Sequence, residues 1–287
     1  MEQSSKLNIN WFPGHMTKAK REMQDKLKMV DMVIELRDAR VPYSSKNPMI
    51  EELIQNKPRL IVLTKIDKAE KEETLKWVEQ LKNESTNVIC LNVTKDNVAK
   101  KVVDASKELM KEKIERQIRK GIRPRAIRSM VCGIPNVGKS TLINKLAKKK
   151  ATVTGDRPGV TRSLQWVKVG NEMELLDTPG VLWPKFEDMD IAYKIAFIGS
   201  INDQILYSEE LAADFIKYLD TCYPDSISSY YGFEKTDDPY KTLEEIARVR
   251  RCLGKNETLD IKKASMILMD DFRNGKIGRI TLELPEV

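Results

Sequence analysis

GIPNVGKS at Gly133–Ser140 has the spacing G-x-x-x-x-G-K-S and lies between two short segments of different character. Residues 129–132 form an apolar run suited to a buried strand, and Thr141–Ala147 begins a helical pattern. A glycine-rich turn in this setting points its main-chain N–H groups inward, and the helix N-terminus adds partial positive charge. The segment therefore predicts a cradle for the phosphates of a nucleotide; the alternative is a glycine turn without a ligand.

A second motif, DTPG at Asp177–Gly180, ends the apolar segment Met173–Leu176. A carboxylate at the end of a strand can hold Mg²⁺ through water, and a glycine amide three residues later can sense a γ-phosphate. DxxG alone is a common turn, but its distance from the phosphate loop supports the assignment. Between the two motifs, Thr161 in GDRPGVTR is placed to give a hydroxyl to Mg²⁺, although this segment could equally be a surface loop.

These motifs predict a combined phosphate and metal site. We expect Lys139 to reach the β- and γ-phosphates and the hydroxyl of Ser140 to ligate Mg²⁺. The predicted phosphate-binding residues are Asn136, Val137, Gly138, Lys139, Ser140, Thr141 and Gly180. The predicted Mg²⁺ ligands are Ser140, Thr161 and Asp177.

The choice of base depends on TKID at Thr64–Asp67, which follows the apolar run Leu60–Leu63. An Asp carboxylate can accept two hydrogen bonds from the N1 and N2 donors of guanine, and adenine offers no such pair. Asp67 therefore favours GTP over ATP, and the aliphatic stem of Lys65 would cover the base. In Ras-like GTPases the base-reading motif follows the phosphate loop. Here TKID precedes it, which predicts a circularly permuted G domain.

On these motifs, together with WFPGHM at Trp11–Met16, DARVP at Asp38–Pro42 and the longer DTPGVLWP, the chain resembles the circularly permuted Ras-like GTPases over nearly its whole length. It is most similar to the ribosome biogenesis GTPase A family of bacteria. The resemblance implies GTP hydrolysis in late assembly of the large (50S) ribosomal subunit. It also implies binding to the immature subunit with GTP, stimulation by that subunit and release after hydrolysis, with rRNA and ribosomal proteins as partners.

The chain departs from the family pattern at two places in the predicted base site. Thr64 stands where the family usually has Asn, and Asn92-Val93-Thr94 stands where it has a small-residue SAK-like loop. The predicted guanine-binding residues are Thr64, Lys65, Asp67, Asn92 and Val93.

Catalysis needs a group that orients the attacking water, and the residue after DTPG is Val181, where Ras-like enzymes have Gln. An aliphatic side chain cannot orient water. His15, the only histidine, can orient a water or accept its proton, because its pKa lies near working pH. A lone His near a helix start also suits a capping or surface role. The family resemblance favours His15 as the catalytic residue, brought into place on the ribosome.

Asn136 matches an Asn that, in similar GTPases, ligates a potassium ion. The resemblance therefore implies K⁺ as a second cofactor beside Mg²⁺. Such a charge would stabilise the transferring phosphates as an arginine finger does. The alternative is an Asn that only forms a turn.

Composition is consistent with a G domain and a smaller second domain, because 287 residues with 41% apolar content can bury a substantial core. No apolar stretch approaches 18 residues and residues 1–10 are polar, so we expect a soluble, cytoplasmic protein without a membrane partner. We also expect a monomer. The four cysteines are far apart and lack a CxxC pair, which supports neither a disulfide framework nor a zinc site.

Charge is distributed unevenly along the chain. The formal net charge is +7, but residues 1–187 carry 37 basic and 24 acidic residues, whereas residues 188–287 carry 13 and 19. Residues 95–128 alone hold 12 basic and 5 acidic residues. This stretch predicts contact with the phosphate backbone of RNA; the alternative is a solvated helix face with no partner.

The C-terminal part contains a second, smaller basic cluster. Its members are Arg248, Arg250, Arg251, Lys255, Lys262 and Lys263. They could contact rRNA, as the resemblance implies for the C-terminal helical domain, or simply complement a helix dipole. The aromatic residues Tyr230, Tyr231 and Phe233 could stack on RNA bases, but we expect them in the core or a lid.

The periodicity changes near Phe186–Asp190, where we place the domain boundary. Before it, strands predicted at 32–36, 60–63, 88–91, 130–132, 167–169 and 174–176 alternate with helices at 17–29, 72–82, 100–119 and 140–148. After it, only helices are predicted, at 191–198, 208–222, 242–253 and 260–274. The expected α/β fold is therefore a circularly permuted P-loop GTPase domain (1–187), a mostly parallel sheet with helices on both faces, followed by a smaller all-α domain (188–287) that binds RNA and the ribosome.

Two other functions are compatible with parts of the sequence. A phosphate loop alone would permit a small-molecule kinase, but Asp67, the single DTPG and the lack of an arginine-rich helical lid argue against it. A GTP-gated rRNA-binding scaffold with incidental hydrolysis is the stronger alternative, because Val181 makes the isolated domain a poor catalyst in either case.

Overall fold

The computed structural model of the protein describes residues 21–54, 57–147, 165–180, 182, 186, 188–201 and 208–285, except for the side chain of Lys255. Within these ranges the strands are β1 (Met32–Asp38), β2 (Arg59–Thr64), β3 (Thr86–Leu91), β4 (Ile127–Gly133), β5 (Gln165–Val169) and β6 (Met173–Asp177). They form one sheet in the order β3-β2-β1-β4-β6-β5. Each predicted strand is present, and the α/β fold class is confirmed.

The sheet is parallel except at one edge. The pairs β1–β2, β1–β4, β2–β3 and β4–β6 are parallel, whereas β5 runs antiparallel to β6. All seven residues of β1 are buried, as expected for a central parallel strand covered on both faces. The edge strand β5 exposes three of its five residues.

The described helices are α1 (residues 21–27), α2 (Pro48–Ile54), α3 (Lys71–Leu81), α4 (Val98–Leu109), α5 (Lys111–Arg119), α6 (Lys139–Leu146), α7 (Met189–Phe197), α8 (Ser208–Cys222), α9 (Ser226–Tyr231), α10 (Pro239–Val249) and α11 (Ile261–Arg273). Neighbouring residues of β1 show that helices cover both faces of the sheet. Ile34 lies in one core cluster with Val102 of α4. Val33 lies in another with Met23 of α1 and Ile50 of α2.

The segment 100–119, predicted as one helix, forms two. Helix α4 ends before Met110, which is 3% exposed and has φ −97° and ψ 6°. Helix α4 buries Val102 and Val103, whereas α5 buries no residue. In the sequence, the spacing of apolar residues stays helical through Met110, where the structure breaks the helix. The break coincides with the buried side chain of Met110, a tertiary contact that helical periodicity does not reveal.

The C-terminal helices share one apolar cluster with the sheet, and this cluster runs from β1 to α11. Its aromatic centre is Phe215, whose ring lies 5.1 Å from that of Phe197 and 4.5 Å from that of Phe272. Tyr231 is buried, and Tyr230 and Phe233 pack partly buried against the same core. The expectation that these three aromatic residues are structural is confirmed.

Two short helices, α2 and α9, were not predicted, because seven and six residues give too little periodicity to recognise. None of the helices in the described ranges combines the length and apolar character needed to cross a bilayer.

Parallel pairing brings the carboxyl ends of five strands to one edge of the sheet. In register, Asp38 is paired with Thr64, Thr64 with Leu91, and Val131 with Asp177. Gly133 is paired with Leu36 of β1. TKID and the phosphate loop, separated in the chain, therefore lie side by side at the edge where open α/β sheets bind ligands.

Candidate functional site

The phosphate loop joins β4 to α6 and needs glycine at both ends. Gly133 has φ 153°, and a Cβ there would lie 2.8 Å from the carbonyl oxygen of Leu36. Gly138 has the left-handed φ of 99° and faces open space. No side chain within the described ranges caps the first turn of α6. The main-chain N–H groups there are thus placed to receive an anion.

Lys139, Asp177 and Gly180 meet beneath this loop. A Cβ on Gly180 would lie 3.3 Å from Nζ of Lys139 and 3.1 Å from Cα of Pro135. Lys139 is 7% exposed, and burial lowers its pKa while the nearby Asp177 raises it. The structure therefore brings DTPG against the phosphate loop, as the sequence predicts, with the Lys139 ammonium between them.

Asp177 has the environment of a metal-binding carboxylate. It is fully buried, and neither carboxylate oxygen has a hydrogen-bond partner among the described residues. Burial raises the pKa of Asp177, whereas Lys139 and the main-chain N–H of Thr178 lower it; that N–H lies nearby but outside hydrogen-bonding geometry. A buried carboxylate without a partner requires a counter-charge. Mg²⁺, which binds one or two carboxylates together with substrate phosphates, fits this requirement.

Asn136 has a left-handed backbone, with φ 58°, which Asn tolerates better than most residues. Its Nδ2 donates a hydrogen bond of 2.7 Å to the carbonyl oxygen of Gly199, just after α7. This geometry agrees with the turn-forming alternative. It also ties the phosphate loop to the C-terminal helical region.

Thr64 connects the base-reading motif to the phosphate loop. It is fully buried, and its hydroxyl donates to the carbonyl oxygen of Val137 at 2.8 Å, with the carbonyl oxygen of Arg37 as a second acceptor at 3.1 Å. The sequence places Thr64 in the guanine-binding set. In the structure its hydroxyl is directed at main-chain carbonyls, where it fixes the distance between the two motifs.

Lys65 and the DARVP segment form a buried ion cluster beside Thr64. Nζ of Lys65 lies 3.0 Å from Oδ2 of Asp38, and Arg40 donates to the same carboxylate from Nε at 3.0 Å and Nη2 at 2.8 Å. Burial alone would raise the pKa of Asp38, but the charges of Arg40 and Lys65 hold it well below its usual range. The Lys65 ammonium is thus anchored at the carboxylate of Asp38.

The other predicted base-site residues lie in two different environments. Asp67 is exposed and makes no hydrogen bond or ion pair with any residue that the structure describes. Asn92 instead shapes its own loop, because Oδ1 accepts from the N–H of Thr94 at 3.1 Å and from its hydroxyl at 2.6 Å. Val93 is 9% exposed and packs in the core.

Three predicted residues, His15, Thr161 and Val181, lie outside the described residues, as do WFPGHM and GDRPGVTR. Conversely, the structure adds residues that the patterns did not single out. The hydroxyl of Ser200 donates to the carbonyl oxygen of Pro135 at 2.7 Å. Nothing in the local sequence signals Ser200 or the ion pair of Asp38 with Arg40, because DARVP entered the prediction only through the family resemblance.

Four features together define a circularly permuted P-loop GTPase. They are the mostly parallel sheet, the glycine loop before a helix N-terminus, the buried carboxylate beside the loop lysine, and TKID at the end of an earlier strand. The family model described as "50S ribosome-binding GTPase" matches residues 128–222. This match begins just before the phosphate loop and excludes TKID, consistent with the permutation. Ribosome biogenesis GTPase A of Bacillus cereus is 48% identical over 279 residues, which cover 97% of this chain and 94% of that protein. The chain belongs to the ribosome biogenesis GTPase A family.

More distant relatives support the same assignment. Ribosome biogenesis GTPase A of Thermotoga maritima is 33% identical over 283 residues, covering 97% of this chain and 95% of that one. The crystal structure of GNP-bound YlqF from T. maritima superposes with a TM-score of 0.69 at 28% identity and covers 94% of this chain and 99% of its own. The protein is therefore a GTP hydrolase of ribosome biogenesis, in a class whose nucleotide site normally uses Mg²⁺.

Proposed function

We propose that this GTPase acts in late assembly of the bacterial large ribosomal subunit, binds the immature 50S subunit with GTP, and leaves after hydrolysis that the subunit stimulates. The observation that carries the ribosomal part is helix α5. It buries none of its nine residues and lies on the surface of the G domain. Only Ile114 of α5 packs, partly buried, against the core, so the exposed positions of this helix are free to serve a partner.

The charge of the α5 surface favours RNA. We define this surface by five exposed cations without an acidic partner among the described residues: Lys111, Arg116, Arg119, Lys120 and Arg123. Two nearby cations are not part of this surface, because Lys113 and Arg125 both form ion pairs with Asp31. Unpaired cations release counterions on meeting a phosphate backbone, which gives affinity that falls steeply with salt.

The basic cluster of the helical region is less suited to this role. Arg250 lies 2.7 Å from a carboxylate oxygen of Asp271 and packs over the rings of Tyr230 and Tyr231. Arg248 pairs with Glu244 at 3.3 Å and also with Glu245. We therefore assign the main RNA contact to the α5 surface and a secondary contact to the helical region.

The proposed catalytic cycle uses residues of both motifs and of the N-terminal segment. Ser140, Thr161 and Asp177 would hold Mg²⁺, and the oxygen of Asn136 would ligate K⁺; the two ions would supply positive charge that stabilises the transferring phosphates. Val181 cannot orient water, so His15 does this when the subunit holds the N-terminal segment against the γ-phosphate. Asp67 reads guanine, with the stem of Lys65 covering the base.

The proposed organisation is a G domain at residues 1–187 and a ribosome-binding helical domain at 188–287. We propose a monomer that works in the cytoplasm, where the subunit is assembled, with no membrane partner.

GTP turnover in potassium buffer, with and without purified large subunits, tests the proposal. A rise of about tenfold or more, equivalent to ~1.4 kcal/mol of barrier, is the expected result. No rise, with subunit binding retained in GTP, would favour the GTP-gated scaffold.

A triple variant tests the α5 surface directly. Arg116→Gln/Arg119→Gln/Lys120→Gln should weaken subunit binding and lower its logarithmic salt dependence by about 1 per removed cation. Lys71→Gln/Lys82→Gln/Lys241→Gln removes the same charge from exposed positions elsewhere and is the matched control. Equal weakening in both triples would mean that net charge, not this surface, determines binding.

A further inference from the structure

Two adjacent residues at the end of α11, Phe272 and Arg273, contact both sides of the nucleotide site. On the phosphate side, Arg273 donates from Nε to the carbonyl oxygen of Phe197 and from Nη2 to that of Ala196, both at 2.9 Å. Both carbonyls lie in the last turn of α7, where that of Ala196 also accepts from the N–H of Gly199 at 3.0 Å, so the guanidinium adds a side-chain cap to this helix end. Arg273 thereby fixes the chain direction at the exit of α7.

The exit of α7 in turn supports the phosphate loop. Gly199 has φ 77°, and a Cβ there would lie 3.0 Å from Nε of Arg273, so the two residues are in close contact. The carbonyl oxygen of Gly199 accepts from Asn136, and the buried hydroxyl of Ser200 donates to Pro135, each at 2.7 Å. The left-handed backbone of Asn136 is thus stabilised by residues after α7, outside the phosphate loop.

The same end of α11 contacts the base side. The carbonyl oxygen of Arg273 accepts from Nζ of Lys68 at 2.6 Å, and Lys68 directly follows Asp67. The guanidinium of Arg40, which holds Asp38 and through it Lys65, lies 5.1 Å from the centroid of the Phe272 ring. One short segment therefore connects the two motifs that bind the opposite ends of a guanine nucleotide.

We propose that Arg273 is a positioning residue for guanine-nucleotide binding, through which the helical region and the nucleotide site stabilise each other. It acts through Gly199 and Ser200 on the phosphate loop and through Lys68 on the base-reading segment. Binding that needs both loops in this arrangement is tighter when the helical region is docked. By linkage, nucleotide must then stabilise the docked helical region to the same extent. The inference rests on the nucleotide site of the proposed function but not on its ribosomal partner.

The first test is GDP affinity without ribosomes. Arg273→Met keeps the length of the stem and removes the donors, and we expect it to weaken GDP binding about tenfold. At saturating GTP its kcat should stay within about twofold while KM rises, because Arg273 does not touch the reacting atoms. Arg279→Met is the matched control, since Arg279 is exposed on the following segment, and it should bind GDP as the unmodified protein does.

Hydrogen exchange supplies a readout that a purely structural role would not change. In the unmodified protein, GDP should slow amide exchange at residues 196–200 and 275–282. In Arg273→Met, GDP should no longer slow exchange at 275–282. Retained protection there, or GDP affinity within twofold of the unmodified protein, would overturn the proposal.

Ser200→Ala keeps the test decisive if Arg273→Met fails to fold. It removes one buried hydrogen bond to Pro135 and should also weaken GDP binding. In the double variant the two losses should be less than additive, because both act on one segment. Unchanged affinity in Ser200→Ala, or fully additive losses, would contradict the coupling. Because no ribosomal subunit is present, these outcomes are independent of whether the large subunit is the partner.

Discussion

The hydroxyl of Thr64 lies 2.8 Å from the carbonyl oxygen of Val137 and donates a hydrogen bond to it, although the two residues are 73 positions apart. The bond runs between the end of β2 and the phosphate loop, which follows β4. Because β1 separates these strands in the sheet, no main-chain ladder links the two motifs. Their relative position therefore depends on side-chain contacts such as this one.

Thr64→Val should weaken GDP binding about tenfold and lower the free energy of unfolding by ~1–2 kcal/mol. The change keeps the shape of the side chain but removes the hydroxyl that donates to the carbonyl oxygen of Val137. Calorimetric titration and urea unfolding measure the two quantities. Thr64→Ser retains the hydroxyl and should preserve most of the affinity; an equal loss in both variants would assign the effect to packing.

Asp38→Asn should lower the free energy of unfolding by ~3–5 kcal/mol at pH 7. It leaves the fully buried Arg40 without its carboxylate partner. The folded-state pKa of Asp38 lies below its unfolded value, so its charge stabilises the fold above the unfolded pKa of about 3.9. The difference between the variant and the unmodified protein should therefore shrink as pH falls below about 4. A difference independent of pH down to 3 would rule out this origin.

Gly180→Ala should retain GDP binding and lose most GTP turnover. The added methyl would meet Cα of Pro135 at 3.1 Å and Nζ of Lys139 at 3.3 Å, which displaces the segment that approaches a γ-phosphate. We expect turnover to fall by about tenfold or more. Gly170→Ala, in the turn between β5 and β6, meets no neighbouring atom within 4 Å and controls for backbone strain, since its φ is 54°. It should cost stability but not turnover.

His15→Ala should keep GTP affinity and lose most of the turnover that the large subunit stimulates. A general base or water-orienting group typically contributes about 10²–10⁴-fold to rate. Single-turnover hydrolysis with saturating subunits measures the effect. If stimulated turnover is unchanged, His15 has no part in the mechanism.

Replacing potassium by sodium should lower GTP turnover if Asn136 ligates a monovalent cation. The expected loss is about tenfold, and Asn136→Ser should abolish the difference between the two salts. Because this variant also removes the hydrogen bond to Gly199, GDP affinity must be measured alongside. Equal rates in both salts would leave Asn136 with its structural role alone.

Apolar runs predicted the five parallel strands and the edge at which their loops meet, because burial on both faces favours near-continuous apolar sequence. The edge strand β5 was predicted from Val167 and Val169 alone, and it exposes three of its five residues. Sequence also anticipated that Lys139 and Asp177 belong to one site. It assigned Asn92 to base recognition but could not show that its side chain closes a turn on Thr94. The sequence predicted α4 and α5 as one helix, because no local pattern shows whether the side chain of Met110 is buried or exposed.

By itself the sequence determined the order of the motifs and the permuted topology that this order requires, and it predicted the residue types for phosphate, metal and guanine. Each motif depends on residue spacing within one strand, loop and helix, and local sequence is enough to recognise that spacing. Only the tertiary structure decided that Thr64 holds Val137, that Asp38, Arg40 and Lys65 share one buried ion cluster, and that Arg273 braces the phosphate loop through Gly199. Apart from the pair Asp38–Arg40, these contacts join residues 27 to 74 positions apart. Their geometry is set by how helices pack on the sheet, and no local pattern encodes it.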